Sequence, residues 1–195
     1  MPGELYKHTD EYVLITATDT TQKRLDDAIQ VTYPITKTVQ NGGANENLLL
    51  AVATPPRCRA YLSGNQINLV DGTWTKIALN AETYDTGIFD STTNYRCLPT
   101  VAGYYLVTGQ VLFFNLVANK RYSAAFYKNG ATMVQAHGQT GDGTDYLTVA
   151  PSSKIVYMNG STDYIELYAR SGSGGNTVDV EGATHSTFLC VHKLS

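Results

Sequence analysis

Charge is scarce in this chain. Asp, Glu, Lys and Arg make up 16% of its 195 residues, and the formal net charge is -3. No stretch gathers Lys or Arg into a basic patch, which argues against nucleic acid or an anionic membrane surface as partner. Long apolar runs are missing as well. The best of them, residues 111–117 and 48–53, fall far short of a bilayer span. The opening residues, MPGELYKHTDEYVLITATD, have no basic start followed by an unbroken apolar run. No signal peptide is read there, and synthesis in a reducing cytoplasm is expected. Cysteine is limited to Cys58, Cys97 and Cys190. An odd count at wide spacing reads neither as a disulfide framework nor as a zinc site, so free thiols are expected. A Cys58–Cys190 bridge stays open if the strands that carry them prove to be neighbours.

What the chain does have is Tyr, Thr and Gly: 14 Tyr and 17 Gly, with hydrophobic residues at 43% and few helix-forming runs. That mix suits half-buried pleated surfaces. The pair Pro55-Pro56 removes two backbone donors and fixes two φ angles, so it divides the chain into an extension, 1–54, and a larger domain, 55–195. Within the extension, 11–18 reads as a strand, and Asp19-Thr20-Thr21 can cap a short turn of helix with Leu25 and Ile29 one turn apart. Residues 31–39 alternate as an extended segment that Pro34 confines to an edge. Residues 40–45 form a turn, across which 48–53 can pair back. The extension has too few apolar residues for its own core. It is expected to be a docked arm, with Tyr12, Leu14, Leu25, Ile29, Val31 and Tyr33 as the docking side chains.

After Pro56, strand signals recur at short, regular spacing: 58–63, 74–78, 94–98, 103–116, 122–128, 132–137, 145–149, 154–158, 163–170 and 185–193. Asn129-Gly130 and Asn159-Gly160 are the strongest turn signals, since Asn-Gly tolerates the positive φ angles of tight hairpins. Residues 171–176, SGSGGN, read as a flexible loop. About ten short strands without intervening helices predict an all-β sandwich or jelly roll.

Five segments in order carry a resemblance: NAETYDTGIFD (80–90), PTVAGYYLVTGQVLF (99–113), FYKNG (126–130), DYIELYA (163–169) and STFLCVHKL (186–194). From residue 60 to the end the chain resembles a domain of the complement C1q/tumour-necrosis-factor superfamily. The resemblance implies a jelly roll that assembles as a homotrimer. It departs from the family where Cys97 stands in place of a usual aromatic residue, with Tyr95 two positions away to supply the ring, and where Val107 replaces a common Phe. No Gly-X-Y stalk and no heptad run precede the domain. In that respect it is similar to the stalkless bacterial and bacteriophage members.

The long segment that starts at Gly103 has two apolar faces. Tyr105, Val107, Gly109 and Val111 fall on one; Tyr104, Leu106, Thr108 and Gln110 fall on the other. A sheet with a single buried side needs only one such face, so the second is expected to meet protein too. The resemblance assigns Tyr104, Leu106 and Thr108 to the trimer interface.

Catalytic patterns are lacking. No Gly-x-Ser-x-Gly turn occurs between a strand and a helix, and Ser173 in SGSGG lacks that context. His8, His137, His185 and His192 lie far apart with no ligand spacing. Asp142, Asp145, Asp179 and Glu181 sit near loops where calcium is conceivable, but they form no ligand pattern, so neither cofactor nor metal is expected. The chain is therefore read as non-enzymatic. The expected role is a trimeric virion structural protein, a decoration or cement protein on the capsid surface assembled in the host cytoplasm, whose arm docks on viral coat subunits. An arm of roughly 30 extended residues would span about 100 Å. The alternatives are a receptor- or glycan-binding tip of a phage tail fibre, with Tyr and Asn supplying stacking and hydrogen bonds, and a soluble bacterial C1q-like binding module.

Overall fold

The computed structural model of the chain describes residues 12–13, 23–24, 31, 35–40, 47–140 and 146–194. It divides into two compact units, Met1–Thr54 and Pro55–Ser195. In the first, β1 (Tyr12–Val13) pairs antiparallel with β2 (Lys23–Arg24). The helical turn expected to carry Leu25 and Ile29 lies outside the described residues. Of the residues expected to dock, Leu14, Leu25, Ile29 and Tyr33 lie outside the described residues. Val31 is partly buried, and Tyr12 sits on β1 opposite Arg24.

β3 (Ile35–Gln40) and β4 (Asn47–Val52) form an antiparallel hairpin, in register from Ile35 opposite Val52 to Gln40 opposite Asn47. Pairing back across the 40–45 turn therefore occurs. The Thr36 hydroxyl donates to the Ala51 carbonyl at 3.2 Å. Ile35, Val39, Leu49, Leu50 and Val52 are all exposed.

The second unit contains β5 (Arg57–Tyr61), β6 (Gln66–Leu69), β7 (Thr75–Lys76), β8 (Ala81–Asp85), β9 (Phe89–Asp90), β10 (Arg96–Cys97), β11 (Gly103–Phe114), β12 (Arg121–Lys128), β13 (Ala131–Gln139), β14 (Tyr146–Val149), β15 (Lys154–Met158), β16 (Ile165–Gly172), β17 (Val178–Val180) and β18 (Phe188–Lys193). One sheet runs β13-β12-β16-β10-β9, with β7 on β16; the other runs β6-β17-β11-β18-β5-β8, with β14 and β15 also on β11. All the strand pairs are antiparallel. The two sheets form a jelly roll in which strands adjacent in sequence often belong to opposite sheets.

The core lies between them. Tyr105, Val107, Val111 and Phe113 of β11 point inward with Leu189 and Val191 of β18, and the other sheet supplies Tyr122, Ala124, Phe126, Leu167 and Ala169. Each large side chain buried here contributes about 1.5–3 kcal/mol. The inward sequence skips Gly109 for a steric reason. A Cβ there would lie 2.5 Å from the Phe188 carbonyl oxygen and 3.2 Å from the Phe126 ring, so the aromatic side chain takes the place that a methyl would need.

Three readings of the sequence are sharpened by the structure. Cys58 and Cys190 do lie on adjacent strands, but Cys58 pairs opposite Val191 and faces the core, while Cys190 pairs opposite Arg59 and faces outward. Alternation along β18 puts the two thiols on opposite sides of the sheet, and no bridge joins them. The neighbour of Cys58 is Cys97, with sulfurs 3.6 Å apart. Next, Asn159-Gly160 does make a turn, with a φ of 74° at Gly160, but the turn joins strands of different sheets, β15 and β16. Asn159 Oδ1 accepts from the amides of Ser161, Thr162 and Asp163. Asn129-Gly130 does make the tight turn between β12 and β13, with φ of 52° and 77°. Finally, Tyr95 does not stand in for an aromatic residue in the core. Cys97 itself is fully buried, whereas Tyr95 is only partly so.

Candidate self-association face

The even-numbered residues of β11 point away from the core, onto the outer face of the eight-stranded sheet. Register places Tyr104 opposite Tyr157 and Leu106 opposite Ile155 on β15. On the other side Leu106 is opposite His192, Thr108 opposite Cys190 and Gln110 opposite Phe188 on β18. Tyr104, on the central strand β11, and Ile155 and Tyr157, on the edge strand β15, are 59%, 57% and 50% exposed. The Tyr104 and Tyr157 rings meet edge to face at 5.6 Å. Further along β11, Phe114 stacks on Tyr146 at 6.2 Å. The three residues singled out from the sequence, Tyr104, Leu106 and Thr108, thus form one row on this face, and the structure adds Ile155 and Tyr157 beside them. The same alternation argument was available at 154–158, where Ile155 and Tyr157 fall on one face and Val156 and Met158 on the other.

Polar side chains border the apolar patch, and each is held by specific bonds. The Tyr84 hydroxyl lies 2.6 Å from His192 Nε2, and the Arg57 guanidinium sits over the Tyr84 ring. Burial, and then the positive charge of Arg57, hold the His192 imidazole below its ordinary value. Burial pushes the Tyr84 phenol up, helped by the nearby Cys190. The Cys190 thiol is also raised by burial, against the opposing pull of Arg59. Arg59 lies over the Phe188 ring at 4.3 Å and donates to Thr83 Oγ1 at 2.9 Å. Gln110 donates through Nε2 to the carbonyls of His185 and Ser186. An apolar centre with a fixed polar border is the anatomy of a protein–protein contact.

The other groups with chemistry in them are occupied by the fold. Ser123 Oγ lies 2.6 Å from His137 Nδ1, but the two residues are directly opposed on β12 and β13, and the hydroxyl is buried. Ser173 is fully buried, donating to Asp71 and to the Asn176 carbonyl. Asp179 accepts from the Asn68 amide and from Asn115, and Glu181 accepts from Ser186. Asp142, Asp145 and His8 lie outside the described residues. Among the described residues, no three His, Cys, Asp or Glu side chains gather as a metal would require.

Two stacked antiparallel sheets in this strand order define the 55–195 unit as a C1q/TNF-like jelly-roll domain. Murine APRIL, crystallised at pH 5.0, is 15% identical, covering 72% of this chain and all of its own, with a TM-score of 0.52. The Eiger TNF of S. frugiperda is 12% identical over 73% of this chain and 94% of its own, with a TM-score of 0.53. The globular domain of the zebrafish complement 1qA protein is 10% identical over 73% and 98%, with a TM-score of 0.52. No family model matches the sequence, and no curated protein does. The likeness is one of fold.

Proposed function

We propose that this protein is a non-enzymatic homotrimer that serves as a virion structural protein, decorating or cementing a capsid, with its first 54 residues docking on coat subunits. The observation that carries the reading is the apolar row Tyr104, Leu106, Ile155 and Tyr157 on a sheet face, in which Leu106 is half-buried and the other three are exposed. Single exposed apolar residues are ordinary on protein surfaces, but a contiguous patch within a sheet calls for a covering surface. A second copy of the same face, repeated about a three-fold axis, covers it without any further partner. The β3–β4 hairpin supports the docking half of the proposal. Apolar residues on both of its strands are exposed, and an isolated two-stranded hairpin is marginal in water. Such a hairpin gains its stability by laying those residues on another protein. The viral assignment comes from the Thr- and Asn-rich character of the sequence.

The test is the mass of the purified chain in solution, alone and then co-sedimented with coat-protein shells. A trimer that binds shells stoichiometrically is expected. A monomer would overturn the self-association face, and a trimer that ignores every shell would overturn the virion role while leaving the trimer intact.

A further inference from the structure

A second surface feature shares no residue with the self-association face. Between the end of β5 and the start of β6, the segment 62–66 comes together with Ala78, Asn80 and Tyr95 around an open pocket of about 300 Å³. That volume lies at the lower end of small-molecule sites. Its Leu62 is buried, and no charged residue lines it.

The hydrogen bonds around the pocket divide cleanly. Those that build it are all satisfied: Gln66 bridges the Lys76 carbonyl and the Ala78 amide, Asn80 Oδ1 accepts from the Ser63 amide, and Asn65 Oδ1 accepts from the Gly182 amide. What remains unpartnered among the described residues are the Nδ2 groups of Asn65 and Asn80, the Ser63 hydroxyl and the Tyr95 phenol. The carboxamides are therefore fixed by their oxygens and present N–H donors to the pocket's surroundings.

Tyr95 is the unusual member. Its φ is 50°, in the left-handed region that a bulky side chain rarely adopts. The neighbouring turn holds it there. Asp90 accepts from the amides of Thr92, Thr93 and Asn94 and from the Asn94 carboxamide, while Lys76 donates to the Asn94 carbonyl and pairs with Glu166. Backbone strain upheld by so many bonds is a mark of a position kept for what its side chain does. The Tyr95 ring has no aromatic or cationic partner among the described residues.

We propose that this pocket binds a neutral saccharide ring, with Tyr95 as the stacking platform and Ser63, Asn65 and Asn80 hydrogen-bonding the ring hydroxyls. The chemistry selects the class. Without a lining charge nothing favours an anion or a cation, and an aromatic ring beside amide donors and hydroxyls matches a sugar's apolar face and polar edge. The proposal is independent of the self-association face and of any virion role.

Neutral hexoses and N-acetylhexosamines are titrated into the full-length protein while the side-chain amide resonances of Asn65 and Asn80 are followed. Saturable shifts are expected for at least one sugar. Two variants then probe the site. Tyr95→Asn places a residue that tolerates positive φ at the strained position; it should melt no lower than the parent and bind at least tenfold more weakly. Gly64→Phe fills the pocket from a position where an added Cβ meets nothing within 4 Å, and it should abolish binding with the fold retained. The proposal is overturned if no sugar gives saturable shifts up to about 100 mM, or if Gly64→Phe binds as the parent does.

Discussion

His192, at the border of the candidate self-association face, makes the fold sensitive to mildly acid pH. The imidazole of His192 lies against Arg57 and within hydrogen-bonding distance of Tyr84, with Cys190 on the same strand face. Burial and Arg57 both disfavour its protonated form, so its folded value lies below the ordinary 6.5. Between those two values the unfolded chain binds more protons than the folded one. Stability is therefore full above about pH 6.5 and declines as pH falls towards the folded value. Urea midpoints measured from pH 8 to pH 5 should show this decline, and His192→Gln should reduce it. An identical slope in the variant would place the acid sensitivity elsewhere. Asp163 works in the same direction at lower pH. Asn129 and Lys128 hold its carboxyl below the usual carboxylate range, so its contribution is lost as pH falls through that lowered value.

At the scale of elements, β11 organises the roll, pairing with β14, β15, β17 and β18 along its length. Gly109 is its tightest point. Gly109→Ala would push the new methyl against the Phe188 carbonyl and the Phe126 ring, and a loss of about 1–3 kcal/mol in a denaturant titration is expected from such overpacking. An unchanged midpoint would mean that β18 can shift away freely. The same strand shows what the sequence made legible. Alternation along 103–114 separated the core row from the outward row, and the fold class followed from strand spacing and turn chemistry. Strands β6, β8, β9 and β17 escaped notice, three of them for local reasons. Asn68 takes a φ of 59° within β6 and breaks its alternation, β9 has only two residues, and all three residues of β17 are buried. The outward partners Ile155 and Tyr157 were readable in principle, but their place beside Tyr104 and Leu106 depends on a pairing that sequence spacing does not specify. The pocket at Tyr95 was not legible. It depends on a strained φ and on loops from three distant segments.

For the whole molecule, the proposed trimer and docking arm separate by mutation. Leu106→Asp would set a carboxylate in the middle of the apolar row in each of three copies, and light scattering should then report a folded monomer. An unchanged trimer would show that another surface carries the assembly. Removing residues 1–50 should leave a folded trimer that no longer co-sediments with shells, because the 55–195 unit contains the whole of the two-sheet core. Full binding by the truncated chain would rule out the arm as the anchor. The pairing of β5 with β18 has a mechanical consequence. β5 lies between β8 and β18, its Arg57 end beside His192, and the Lys193 amide donates to the Pro56 carbonyl at 2.9 Å. A tug on the preceding segment, directed along β5 while the sheet face is held, loads the bonds to both neighbours in shear, so that they resist together. The same tug set against a hold on the end of β18 would peel them apart one by one. A domain gripped through its sheet face and pulled along β5 by the residues before it is therefore loaded in its stronger direction.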